Sequence, residues 1–159
     1  WIILMNIWDK YIQAELMQIR SFSYLPYKVG CSIYDSNNRL VEHGYNATIT
    51  EKYLWLGDYD RMKMAREFTY EFPIDFEEVI HAEAMAIAKM ARDASGCTMY
   101  CTLEPCVPCA EYVINSGQIV EFRYLWDYAD ERKHKAHLFE SGVPLLEKAG
   151  IKVGRIETC

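Results

Sequence analysis

"CTMYCTLEPCVPCAEYVINSGQIVEFRYLW" (residues 97–126) changes its hydrophobic rhythm twice. "CTMYCTL" (97–103) reads as a strand. "CVPCAEYVINSG" (106–117) reads as a helix closed by Gly117, and "IVEFRYLW" (119–126) reads as a second strand. The same alternation continues on both sides. "HAEAMAIAKMARDA" (81–94) predicts a helix upstream; "VPLLEKAG" (143–150) predicts a helix capped by Gly150, followed by a last strand "IKVGRIE" (151–157). Strand–helix–strand repeats imply a sheet with helices on its faces and some parallel strand pairs. Asp127 to Ser141 reads as a polar excursion between strand and helix.

The N-terminal third adds an antiparallel element. Trp8, Tyr11, Ile12, Leu16 and Ile19 recur at helical spacing and predict an amphipathic helix over residues 6–20. "YKVGCSIYD" (27–35) alternates Val29, Cys31 and Ile33, "SNN" (36–38) supplies a turn, and "RLVEHGYN" (39–46) returns, which is a β-hairpin. Residues 47–80 are the least regular stretch, with a helix expected from Asp58 to Phe68. There is no internal repeat, low-complexity tract or Pro/Gly/Ser linker, so residues 1–159 read as one domain. Met5 reads as the natural start, with residues 1–4 extraneous.

The composition is that of a globular chain: 159 residues, 51% hydrophobic and 25% charged. No apolar run reaches membrane-spanning length. Six cysteines in a chain of this size, with no sign of secretion, point to free thiols and a reducing, cytoplasmic setting. A net charge of −6 argues against a polynucleotide partner, which calls for a basic footprint.

The chemistry lies in two short motifs. Cys106-x-x-Cys109 is by itself open to three readings: half a zinc site, a redox dithiol, or packing. Pro105 and Pro108 fit the entry of a helix, where no amide bond is lost. Residues i and i+3 share a helical face, so both sulfurs can grip one ion. His81-Ala82-Glu83 opens the preceding predicted helix, and both helix N-termini can meet at one edge of the sheet. His81, Cys106 and Cys109 then make three zinc ligands with a fourth position open for water, the pattern of catalytic zinc. Glu83 stands beside them as a proton shuttle rather than a ligand. The H-x-E…P-C-x-x-C pattern is the signature of zinc nucleobase deaminases.

"HAEAMAI" and "TLEPCVPCA" therefore resemble the cytidine and deoxycytidylate deaminase superfamily, with support from "KVGCSIYDSNNRLVEHGYN", "YLWDY" and "LLEKAGIKV". The 35 positions between Asn46 and His81 are closer to the deoxycytidylate branch than to the tRNA adenosine deaminases. The resemblance implies a cytidine-deaminase-like three-layer α/β/α fold with a mixed five-stranded sheet. It also implies a Zn2+ cofactor, a small-molecule nucleotide substrate (dCMP converted to dUMP and ammonia) and a homo-oligomer. Substrate contacts are implied at Asn46, Ala82, Glu104 and Pro105. Alternatives are a deaminase of another base (tRNA adenosine, a nucleoside or guanine), a non-catalytic binding module of the same fold, or a structural zinc protein.

Two departures bear on the substrate. "ATITEK" (47–52) stands where the deoxycytidylate family carries a "GFPRG"-like phosphate loop, and Met85 stands where it carries Asn. The phosphate must then be gripped elsewhere, with Arg61, Lys63, Arg66 and Lys133 as candidates. Cys31, Cys97 and Cys101 read as small buried hydrophobes, Cys159 as a terminal thiol, and His134 and His137 as surface residues. Tyr124, Trp126 and Tyr128 alternate as core residues of a strand.

Overall fold

The computed structural model describes residues 2–23, 25, 27–48, 79–90, 95–131 and 140–158. The predicted helix 58–68, the candidates Arg61, Lys63, Arg66 and Lys133, and His134, His137 and Cys159 lie outside them. Helix α1 (Ile2–Ser21) is followed by β1 (Gly30–Tyr34), β2 (Leu40–Tyr45) and the short β3 (Ala47–Thr48). After β4 (Val79–Ile80) come α2 (Ala82–Lys89), β5 (Cys97–Leu103), α3 (Val107–Ser116) and β6 (Ile119–Trp126). The chain closes with α4 (Tyr128–Glu131), α5 (Val143–Lys148) and β7 (Lys152–Arg155).

Five strands form one mixed sheet in the order β2-β1-β5-β6-β7. The hairpin β1–β2 and the β1–β5 pair are antiparallel, whereas β5–β6 and β6–β7 are parallel. Alternation along the strands separates two cores. On one face Ile12 and Leu16 of α1 pack with Tyr34, Tyr100, Leu125 and Ile156. On the other, Ala82 and Ala86 of α2, Ala110 and Val113 of α3, and Leu146 of α5 pack with Ile33, Met99 and Phe122. This is the expected three-layer α/β/α arrangement. The α1 layer is locked by Arg123, whose guanidinium donates to both oxygens of buried Asp9 at 2.9 and 2.7 Å.

Three local expectations are corrected. The helix predicted over 81–94 ends its first run at Lys89, where Met90 turns extended with ψ 109°, and residues 91–94 lie outside the described ones. Tertiary contacts outweigh propensity here: Lys89 hooks onto the His43 carbonyl at 2.9 Å and Met90 packs against the core. The excursion after Asp127 opens with a helical turn carrying Tyr128, begun by the Asp127 carboxylate accepting from the Asp130 amide at 2.7 Å. Inside the irregular 47–80 stretch, Ala47 pairs with Ile80 and Thr48 with Val79. That ribbon sets Asn46 and His81 side by side.

Candidate metal centre and active site

Strand β5 ends at Leu103, and Glu104-Pro105 carry the chain to Cys106, the extended N-cap of α3. Cys109 lies in the first turn of that helix, with Pro at its N-terminal positions. β4 delivers His81 to the same edge, where it is the extended N-cap of α2. An N-cap position ordinarily carries a side chain that accepts from the helix's free amides. Neither His81 nor Cys106 makes such a bond, and both side chains turn to each other instead.

His81 Nδ1 is 3.2 Å from Cys109 Sγ and 3.5 Å from Cys106 Sγ. The three donor atoms lie within 4.8 Å of one another. Zinc bonds of about 2.05 Å to nitrogen and 2.3 Å to sulfur, at a tetrahedral angle, put ligand atoms roughly 3.6 Å apart. The donor set and its spacing therefore fit zinc. The charge fits as well. The Cys106 thiol is lowered to about 4, first by the hydrogen bond from Cys109 and also by His81, against the opposing effect of burial. The same bond, then burial and the Glu83 carboxylate, pushes Cys109 up. A thiol held low beside a histidine is the form in which sulfur binds a divalent ion.

Glu83 is buried, with 4% of its surface exposed. Its Oε2 accepts from the Cys109 thiol at 3.4 Å. Burial raises its pKa, with His81 pulling the other way. A carboxyl that sits beside three ligands without joining them, and holds its proton more tightly than usual, is suited to proton transfer.

All four residues predicted to contact substrate are engaged within the chain. Asn46 Oδ1 accepts from the Val29 amide at 2.8 Å and its Nδ2 donates to the Tyr27 carbonyl. Ala82 is fully buried, and its carbonyl accepts from the Cys31 thiol at 3.2 Å. Pro105 is fully buried and its carbonyl accepts from the Gly142 amide at 2.7 Å. Both Glu104 oxygens are engaged: Oε1 accepts from the Tyr128 amide at 2.7 Å and Oε2 from the Ser141 hydroxyl at 2.6 Å. Cys31, Cys97 and Cys101 are buried core thiols, as expected. Tyr124 and Trp126 pack on opposite cores, partly buried, and Tyr128 is buried.

Sequence reasoning missed two supports of the site. Gly44 lies opposite Cys31 and against the first turn of α2, and Ser141-Gly142 lies on the backbone of Cys106. The one sequence hint for the second was the Gly and Pro of "SGVP" (141–144), which mark a turn.

The family model for the cytidine and deoxycytidylate deaminase zinc-binding region matches residues 8–125, the stretch that contains His81, Glu83, Cys106 and Cys109. The chain belongs to this family. It is 34% identical over 139 residues to a probable deoxycytidylate deaminase of Drosophila melanogaster, covering 81% of this chain and 64% of that one. It is 32% identical over 112 residues to the deoxycytidylate deaminase of Homo sapiens, covering 69% and 60%. The chain thus spans less than two thirds of the length of these relatives. Among solved structures, the dCMP deaminase from the cyanophage S-TIM5 in complex with dCMP and dUMP superposes with a TM-score of 0.64. The match covers 94% of this chain and 96% of that one at 22% identity, which is a likeness of fold. Zinc is the metal that the deaminase family and the His81–Cys106–Cys109 donor set both indicate.

Proposed function

We propose that the chain catalyses hydrolytic deamination of a cytosine mononucleotide, converting dCMP and water to dUMP and ammonia. The observation that carries this reading is the buried Glu83 carboxyl beside, but outside, a three-ligand metal set. The deoxycytidylate deaminase relatives support dCMP as the substrate. Zinc held by His81, Cys106 and Cys109 supplies Lewis-acid activation of water.

Glu83 does the proton work. Its carboxylate takes a proton from the attacking water and delivers it to ring N3 as the water oxygen adds to C4. It then passes the second proton to the exocyclic nitrogen, which leaves as ammonia. One group acts as base and then as acid, so a carboxyl whose pKa is raised by burial suits both halves of the cycle. Asn46, whose side chain braces the Val29 and Tyr27 backbone, and Ala82 adjoin His81 and Glu83, and we assign them to shape, rather than to hydrogen-bond, the wall that receives the sugar and base. The absence of a "GFPRG" loop leaves the phosphate to the cations named from the sequence.

A homo-oligomer in a reducing, cytoplasmic setting completes the proposal; the redox setting is supported by five cysteines without disulfides among the described residues. The test is kcat/KM of the zinc-loaded protein for dCMP, deoxycytidine, dCTP, guanine and a tRNA anticodon hairpin. dCMP should lead, and its advantage over deoxycytidine should shrink at high salt, because the phosphate is gripped by charge. A preference for the hairpin, guanine or the unphosphorylated nucleoside would overturn the substrate assignment.

A further inference from the structure

We propose that Glu104, which a motif reading takes for a substrate contact, is a positioning residue that holds the metal-ligand turn at Cys106 in place. The inference rests on the metal-site reading above. The Glu104 amide donates to the Trp126 carbonyl at 2.8 Å, which fixes its backbone to the end of β6. Its Oε1 then accepts from the Tyr128 amide at 2.7 Å and its Oε2 from the Ser141 hydroxyl at 2.6 Å. A single carboxylate thereby joins two points of the chain that are thirteen positions apart in sequence.

Ser141 and Gly142 in turn hold the ligand. Ser141 bridges Cys106 in antiparallel fashion, and the Gly142 amide donates to the Pro105 carbonyl at 2.7 Å. A Cβ on Gly142 would stand 2.5 Å from the Cys106 carbonyl oxygen and 2.6 Å from the Ala110 Cβ, so the two backbones are in close contact. The Ser141 hydroxyl also accepts from the Val143 amide at 3.2 Å, tying the clamp to the start of α5. The path runs from the Glu104 carboxylate through Ser141 to the backbone that aims Cys106 Sγ. Since both oxygens are taken by the chain, the carboxylate serves the fold of the site rather than the substrate.

The experiment measures zinc affinity of the full chain at 25 °C by competition with a chromophoric chelator, alongside KM and kcat for dCMP. Glu104→Ala should weaken zinc binding about tenfold or more, the scale seen when support behind a ligand is lost, with KM unchanged. Glu104→Gln should restore affinity to within about threefold, because its oxygen still accepts from Tyr128 and its amide can donate to the Ser141 hydroxyl. Ser141→Ala, a milder change, should weaken zinc in the same direction and add little on top of Glu104→Ala. Arg123→Met, on the opposite face, serves as the control for general loosening: it should lower the melting temperature and leave zinc affinity alone. Wild-type zinc affinity in both Glu104→Ala and Ser141→Ala would overturn the proposal, as would a raised KM with zinc affinity intact. A wild-type chain that fails to bind zinc would overturn the metal-site reading and this proposal with it.

Discussion

Gly44→Ala tests how the fold aims the site. Gly44 sits in β2 opposite Cys31, and the first turn of α2 rests against the pair. A Cβ there would stand 2.4 Å from the Ala82 carbonyl oxygen, 2.7 Å from the Ala86 amide nitrogen and 3.2 Å from the Ala86 Cβ. Ordinary contact begins near 3.4 Å, so the turn must retreat by about 1 Å. The nearest atoms are helix backbone, so no side chain can swing aside. Overpacking of this kind costs about 1–3 kcal/mol, or roughly 2–12 °C of melting temperature for a chain of this size. The larger consequence is functional, because the displaced turn carries His81 and Glu83. A shift near 1 Å at reacting groups costs on the order of 100-fold in rate. Thermal melts, zinc competition and kcat for dCMP would be measured on Gly44→Ala. Gly154→Ala is the matched control, since its Cβ meets nothing within 4 Å. If Gly44→Ala matches Gly154→Ala in all three measurements, the seat beneath α2 does not aim the site.

Arg123→Met leaves Asp9 buried with its charge-assisted bonds from the guanidinium gone and only the Glu157 amide, at 2.8 Å, still donating. A loss of about 3–5 kcal/mol is expected by urea denaturation, and a loss under about 1 kcal/mol would mean the pair is screened despite its burial. Burial raises the pKa of Glu83 from 4.5, so in metal-free protein the folded state favours the protonated form. Its contribution is fully present below the unfolded value and is lost as pH rises through the folded one. Metal-free Glu83→Gln should therefore melt above metal-free wild type at pH 7, with the gap closing as pH falls toward 4.5. Equal melting temperatures at both pH values would refute the burial argument.

The parts of this fold that repeat a local pattern were legible in the sequence. β5 and β6 fall where the alternation and flanking breakers placed them, and Gly117 and Gly150 close α3 and α5 with φ of 67° and 86°. The grouping of His81, Cys106 and Cys109 was legible because i, i+3 spacing and the H-x-E pair are local signals, and the fold needed only to bring two helix N-termini together. What the sequence concealed is long-range. The β3–β4 ribbon has two residues per strand, too few to show a period. Arg123 and Asp9 are 114 positions apart, and nothing in either neighbourhood marks the partner. Nothing in the sequence around Glu104 marks Tyr128 and Ser141 as the partners of its two oxygens. The early end of α2 follows from where Lys89 and Met90 land, against a run of residues that would sustain a helix.

The most direct test of the central claim is paired zinc content and ammonia release from dCMP for wild type and Glu83→Gln. The candidate ligand set of His81, Cys106 and Cys109 does not include Glu83, so both proteins should carry about one zinc per chain. Removing the group that moves the protons should lower turnover by about 10²–10⁴-fold. Turnover retained in Glu83→Gln would contradict the account, as would loss of zinc together with activity, because either result would take Glu83 out of the proton-transfer role that its buried place beside the ligands assigns it.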